Sequence, residues 1–98
     1  MAKNRLKKGI FITLEGVEGC GKSTQAKFIY RLLKEAGYDC ILTREPGGTK
    51  TGEKVRKILL ELDPKRFSIS NMTELFLFEA NRSQIVEEII MPALKKKR

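Results

Sequence analysis

Histidine is absent from this sequence of 98 residues, and its two cysteines lie twenty positions apart, outside any Cys-x-x-Cys pair. Neither a zinc site nor a cysteine–histidine nucleophile can be built from this set. No apolar run approaches the roughly 20 residues of a membrane-spanning helix. The basic start leads into an apolar run that is too short and too interrupted by Gly and Glu for a signal peptide. We therefore expect a cytoplasmic protein with reduced cysteines.

Acidic residues are missing from both ends of the chain, and this explains the formal net charge of +8. Residues 1–8 and 95–98 carry eight Lys or Arg, whereas the remaining 12 basic and 12 acidic residues cancel. Such ends are more often solvated or frayed tails than binding faces, so we predict no specific nucleic-acid partner. DNA binding that depends on salt and is lost on deleting both ends would support the opposite interpretation. With 41% apolar residues, the chain can form one small domain or part of one.

The sequence GVEGCGKS at residues 16–23 fits the phosphate-binding pattern G-x-x-x-x-G-K-[ST]. Backbone N–H groups must wrap a polyphosphate, and a Cβ facing it would block close approach. Lys22 would place a positive charge against the phosphates, Ser23 would offer a hydroxyl to Mg²⁺, and Thr24 adds a second hydroxyl. The alternative is a glycine-rich turn without a ligand. The glycines that suit a phosphate are Gly16, Gly19 and Gly21.

The pattern around this motif predicts a strand, a helix and a second strand, over residues 9–14, 22–36 and 38–43. The first strand is apolar almost throughout, as in a parallel strand that is buried on both faces. This β-loop-α-β order is the opening unit of a P-loop α/β fold. We expect an apolar stripe on the helix and a left-handed residue, Gly37, after its end. The residues of that stripe are Ala26, Ile29, Tyr30 and Leu33.

Two further helices are predicted, over residues 52–62 and from an N-cap at Asn71 to residue 90. The first has an inward face, with Arg56 on an adjacent face, and the inward residues are Val55, Ile58, Leu59 and Leu62. The second has an inward stripe that an arginine interrupts, and this arginine has two interpretations. Arg82 either extends to solvent or pairs with Glu79, or it forms with Phe78, one turn earlier, a stacking and hydrogen-bonding pair for a base. The residues of the stripe are Leu75, Phe78, Arg82, Ile85 and Ile89.

Five ordered motifs together resemble the bacterial and archaeal thymidylate kinases. The resemblance implies a three-layer P-loop NTPase fold with a parallel sheet, as in other nucleoside monophosphate kinases. It also implies transfer of the γ-phosphoryl of ATP to dTMP, giving dTDP for dTTP synthesis, with Mg²⁺. The motifs are FITLEG at 11–16, TREPGGT at 43–49, GEKVRK at 52–57, TEL at 73–75 and LFEANR at 77–82.

The resemblance also assigns roles to individual residues. Lys22, Ser23 and the loop glycines would hold the ATP phosphates and the metal, with Thr24 beside them, and Lys22 would be catalytic together with Arg56. The acceptor nucleotide would be bound by five side chains. Glu18 would accept from the 3′-hydroxyl, Glu45 and Arg56 would lie near the acceptor phosphate with Arg56 as the direct ligand, Phe78 would stack on thymine, and Arg82 would hydrogen-bond its edge.

The resemblance covers nearly all 98 residues but only about the first half of the family's length. We therefore expect a single P-loop kinase domain of which residues 1–98 are the N-terminal part, incomplete and inactive alone. A complete member would be a homodimer, or a complementary C-terminal chain would supply the rest. The alternatives are a nucleotide-binding fragment without catalysis and one piece of a split kinase. In the family's sheet a third strand separates the first two, so both strands would have unpaired edges here.

Overall fold

The computed structural model describes residues 6–15, 21–62, 65 and 67–98. Within these ranges the regular secondary structure is helical throughout. The chain forms two compact units, which we call the terminal unit, Met1–Leu42 with Pro92–Arg98, and the central unit, Thr43–Met91. The helices are α1 Lys22–Glu35, α2 Lys50–Leu60, α3 Asn71–Ile85, a π-helical segment Val86–Ile90 and α4 Met91–Lys95.

The terminal unit contains α1, which begins and ends within one residue of the prediction. After its last turn, Gly37 adopts a left-handed conformation with φ of 90°. The N–H of Gly37 donates to the Lys34 carbonyl and the N–H of Tyr38 to the Leu33 carbonyl, both at 3.0 Å. These two bonds form a Schellman motif and satisfy carbonyls that the helix end would leave without partners. The predicted stripe is the less exposed face of α1, but none of its residues is fully buried.

The strands predicted over residues 9–14 and 38–43 are not formed in the described structure. Both segments are non-helical, with only an isolated bridge at Tyr38, and the apolar side chains of Ile10, Phe11 and Ile12 are 55–61% exposed. Strands are stable only when neighbouring strands satisfy their backbone groups and cover their faces. In the described part of the chain, Ile10 N–H donates instead to the Arg98 carbonyl, at 3.3 Å. The prediction of two strands is therefore not confirmed in the described residues.

The basic C-terminus is not a frayed tail in this structure. Residues Met91–Lys95 are helical, and the guanidinium of Arg98 lies 2.9 Å from the carboxylate of Asp39. The side chain of Arg98 is only 27% exposed. At this end, therefore, the prediction of a solvated tail is wrong for Arg98.

In the central unit, α2 begins two residues before the predicted start because Thr49 caps it. The Thr49 hydroxyl accepts from Gly52 N–H at 2.8 Å, which satisfies one of the donors that a helix start leaves open. Val55, which was predicted to face inward, is 8% exposed. Ile58, predicted inward as well, is 40% exposed.

The predicted inward stripe of α3 is wrong over most of its length. The buried residues of α3 are Asn81 and Ile85, at 1% and 0% exposure, whereas Leu75, Phe78 and Arg82 are exposed. The reason is close packing on α2: a Cβ on Gly52 would collide with the Asn81 side chain, so a small residue on α2 admits an amide from α3. The N-cap is Ser70, one residue before the predicted Asn71, and its hydroxyl accepts from Thr73 N–H at 3.1 Å.

The long helix predicted to residue 90 changes form before it ends. After Ile85 the chain continues as the π-helical segment Val86–Ile90. Pro92 follows it within two residues, and a proline cannot donate to the carbonyl four residues earlier and clashes with it. A widened turn before the proline relieves this conflict.

Candidate nucleotide-binding site

Of the predicted phosphate-loop residues, Gly16, Glu18 and Gly19 lie outside the described residues. Gly21 is the N-cap of α1, with φ of 82°, and a Cβ added there would meet nothing within 4 Å. Lys22 is half-buried in the first turn, and Ser23 and Thr24 are exposed beside it.

The first turn of α1 has a favourable electrostatic setting for an anion. No side chain caps it, and it contains no acidic residue. The helix dipole and the N–H groups of the first turn therefore favour a negatively charged ligand. Within the described part of the chain, no three His, Cys, Asp or Glu side chains come together as a metal site. The Ser23 hydroxyl suits Mg²⁺ as one ligand among phosphate and water oxygens, which is how this ion commonly binds.

In the central unit, the loop at residues 44–49 is fastened by side chains from both α2 and α3. Gly47 N–H donates to Asn81 Oδ1 at 2.8 Å, and this bond is buried. Gly47 and Gly48 have φ of 125° and 87°, a region in which other residues are strained. The bond from α3 can form because these glycines bend the chain toward the helix.

Glu53 on α2 holds the same loop from a second side. Its carboxylate accepts from Gly48 N–H at 3.0 Å and from Arg44 Nη2 at 2.9 Å. The Arg44 guanidinium, and after it the Gly48 N–H, hold the pKa of Glu53 below its usual value. Both partners of the ion pair are about half exposed, so it contributes little on its own. The Glu53 carboxylate and the Asn81 side chain together bind the N–H groups of both glycines, Gly48 and Gly47.

Arg56 contacts the loop at its proline. Arg56 Nη1 donates to the Pro46 carbonyl at 3.0 Å, and the side chain is half-buried. It also lines an open cavity of about 320 Å³, whose other lining residues are the cations Arg44 and Lys57, the acidic Glu53 and Glu61, and Leu60. A half-buried guanidinium is suited to a phosphate.

Arg82 binds Glu45, a partner that helical spacing did not offer, since that spacing offered Glu79. Both carboxylate oxygens of Glu45 lie close to Arg82 Nε, at 2.7 and 2.9 Å. The structure thus brings together three of the predicted acceptor residues: Glu45 and Arg82 are in contact, and Arg56 binds the residue next to Glu45.

Phe78 lies one turn before Arg82 on the exposed face of α3, with 41% of its surface accessible. It lines an open groove of about 340 Å³ together with Asn71, Glu74 and Leu75. Residues spaced by three and four share a helix face, so ring and guanidinium follow each other along α3. No described contact joins them.

Three residues that hold the loop were not identified from the sequence. Thr49 carried a signal, since it is a preferred cap residue directly before the helix. Glu53 and Asn81 carried no such signal. Each accepts from a backbone N–H of the loop, which lies 5 positions from Glu53 and 34 positions from Asn81.

Among the described residues, we find no helix with the length and apolar character that crossing a bilayer requires.

Comparison with known proteins identifies the family. A family model described as Thymidylate kinase matches residues 14–98. A thymidylate kinase of Thermoanaerobacter sp. (strain X514) is 52% identical over 89 residues, 91% of this chain and 42% of the relative. One of Dehalococcoides mccartyi (strain ATCC BAA-2266) is 52% identical over 85 residues, 87% of this chain and 40% of the relative. The chain thus spans about two fifths of the length of these relatives, and it belongs to the thymidylate kinase family.

Proposed function

We propose that this chain carries the phosphate loop and the acceptor-binding segment of a kinase that transfers the γ-phosphoryl of ATP to dTMP, giving dTDP. The observation that carries the proposal is the 44–49 loop. It joins Glu45, Arg56 and Arg82, which are distant in sequence and were assigned to the acceptor by the family's motifs. The names of the relatives support the same reaction.

On the donor side, Lys22 neutralises charge on the β- and γ-phosphates as the γ-phosphoryl leaves. The N–H groups at the start of α1, with Gly21 at its cap and Thr24 in its first turn, hold the phosphate oxygens. Ser23 is the described residue that would bind Mg²⁺, and the ion supplies charge neutralisation between the phosphates when bound. Gly16 and Gly19 belong to the same proposed loop.

On the acceptor side, Arg56 binds the dTMP phosphate and keeps it in line with the donor, which makes it catalytic together with Lys22. Phe78 stacks on the thymine ring, and Arg82 donates to its edge. Glu18 accepts from the sugar 3′-hydroxyl, so that the base and the sugar are bound by separate side chains.

The fold that we propose for the complete protein is the three-layer P-loop fold with a parallel sheet, in which residues 1–98 are the N-terminal part of a single domain. The exposed apolar side chains of the terminal unit in this chain support the proposal, because they are suited to burial in a sheet. We further propose a cytoplasmic enzyme that acts as a homodimer or with a complementary C-terminal chain.

The test is a fusion protein in which the full 98-residue chain continues into the part of the Thermoanaerobacter relative beyond the matched segment. We expect it to convert ATP and dTMP to ADP and dTDP, measured by chromatography of the nucleotides. A fusion protein that melts cooperatively and binds both nucleotides without forming dTDP would favour a binding fragment without catalysis. One that melts cooperatively and binds neither would contradict the proposed function.

A further inference from the structure

Glu45 and Arg82 are joined by the closest ion pair described in the central unit. The two carboxylate oxygens lie 2.7 and 2.9 Å from one nitrogen, Arg82 Nε. The partners are 37 positions apart, so the pair ties the 44–49 loop to α3. The Glu45 side chain is 30% exposed, which makes it the less accessible of the two.

Both partners sit on backbone that other contacts already hold in place. The residue before Arg82 is Asn81, which is 1% exposed and accepts from Gly47 N–H at 2.8 Å. The residue after Glu45 is Pro46, whose carbonyl accepts from Arg56 at 3.0 Å. An ion pair between backbones that are already fixed costs little further backbone freedom on forming.

The charge of Glu45 does not suit contact with the acceptor phosphate, near which the family's motif places it. A carboxylate repels a phosphate, while Arg56 on the same loop offers the opposite charge. Next to Nε, however, a carboxylate has a clear effect, because the guanidinium is planar and carries its five N–H donors in a rigid fork. Fixing one donor fixes the plane in which the four donors of the terminal nitrogens lie.

We infer that Glu45 is a positioning residue that acts on the base through Arg82 and not on the acceptor phosphate. A guanidinium held in one plane donates to a carbonyl oxygen at ring position 4 of thymine or uracil and opposes the amino group of cytosine. Glu45 thereby contributes to selection of the base, and this inference rests on the proposed function of the central unit.

The experiment measures KM and kcat of the fusion protein for dTMP, dUMP and dCMP. We expect Glu45→Ala to raise KM for dTMP and dUMP by about three- to fivefold, the range of an exposed ion pair, with little change for dCMP. The dTMP-to-dUMP ratio, KM for ATP and kcat stay within about twofold of the parent, because the methyl group and the phosphates are contacted elsewhere. Glu45→Gln, which keeps one acceptor oxygen, restores part of the loss.

Two controls separate this role from a structural one. Glu79→Ala removes an equal charge from α3, three positions before Arg82. It should leave the ratios of KM among dTMP, dUMP and dCMP unchanged. In an Arg82→Ala background, Glu45→Ala has no further effect on base selection, because the residue through which it acts is gone.

A uniform change of KM for all three acceptors would assign Glu45 to the phosphate or the sugar and overturn the inference. So would an effect of Glu45→Ala that persists unchanged in the Arg82→Ala background. If the fusion protein binds these nucleotides without turning them over, the same ratios are read from dissociation constants. Loss of turnover with base selection intact would then contradict the proposed catalysis and leave the role of Glu45 supported.

Discussion

The central and terminal units differ in what holds each of them together. All described residues that are buried belong to the central unit, and three side chains there, those of Asn81, Glu53 and Arg56, bind the backbone of one loop. The described part of the terminal unit has no buried residue, and two ion pairs there converge on Asp39 at 2.9 and 3.9 Å. The buried residues are Gly47, Thr49, Gly52, Val55, Asn81 and Ile85.

The difference shows which parts of the chain are held by contacts within one unit. The predicted acceptor residues depend on caps and on side-chain bonds to a loop, and these form within 49 residues of chain. The predicted donor residues follow a segment whose apolar side chains, such as Phe11 at 56% exposure, are suited to a sheet. Side-chain contacts within the central unit, between residues up to 37 positions apart, fix the first set, whereas the second requires pairing with neighbouring strands.

The largest effect is expected from Lys22→Ala in the fusion protein, which tests the division between donor and acceptor functions. Phosphoryl transfer should fall by at least about 100-fold, because the charge that Lys22 places at the phosphates is lost. The affinity for dTMP, which depends on the central unit, should remain unchanged. Lys27→Ala, an exposed lysine on the same helix, is the matched control and should keep full turnover. Near-normal turnover by Lys22→Ala would contradict the donor assignment.

Arg82→Ala tests the same division from the other side. It should weaken dTMP binding by about 2 kcal/mol, the scale of a hydrogen bond to a charged group, and leave ATP binding alone. Isothermal titration of the fusion protein with each nucleotide measures both values. An equal loss of affinity for ATP and dTMP would show that Arg82 does not read the base.

Gly52→Ala tests whether close packing organises the central unit. The added Cβ would meet the Gly47 carbonyl oxygen at 2.5 Å and collide with the Asn81 side chain. Alanine normally favours a helix over glycine by roughly 0.5–1 kcal/mol, but here we expect a loss of about 1–3 kcal/mol from overpacking. Chemical denaturation of the fusion protein measures the free energy of unfolding. Lys54→Ala, at an exposed position of α2, is the control, and equal stability of the two variants would contradict the packing described.

The sequence predicted helices better than contacts, and particular residues show why. The three helices were found because apolar spacing and capping residues are local signals, although Thr49 and Ser70 each set a start that was placed one or more residues late. The partner of Arg82 was missed because Glu79 is three residues away on the helix, while Glu45 is reached only through a folded loop. The strands were predicted but are not formed in the described residues, since an apolar pattern specifies a strand only with a neighbour to pair with.

The smallest effect concerns pH and the contact between Glu53 and the loop. Since its pKa is lowered in the folded chain, the ionised Glu53 stabilises the folded state, and this contribution is present above the ordinary pKa of 4.5. It is lost as pH falls from that value through the lowered pKa. The stability difference between the parent fusion protein and Glu53→Gln should thus be constant near neutral pH and shrink below pH 4.5. A difference that grows on acidification would contradict the assigned contact.

The central claim is that the central unit has buried contacts of its own, whereas the described part of the terminal unit has no buried residue. Amide hydrogen exchange of the 98-residue chain, read residue by residue by NMR, tests it most directly. We predict slower exchange for Gly47 and Gly52 N–H, which are bound by Asn81 and Thr49, than for residues 10–14, whose side chains are exposed. Equal protection in both regions, or faster exchange at Gly47 and Gly52, would contradict the claim.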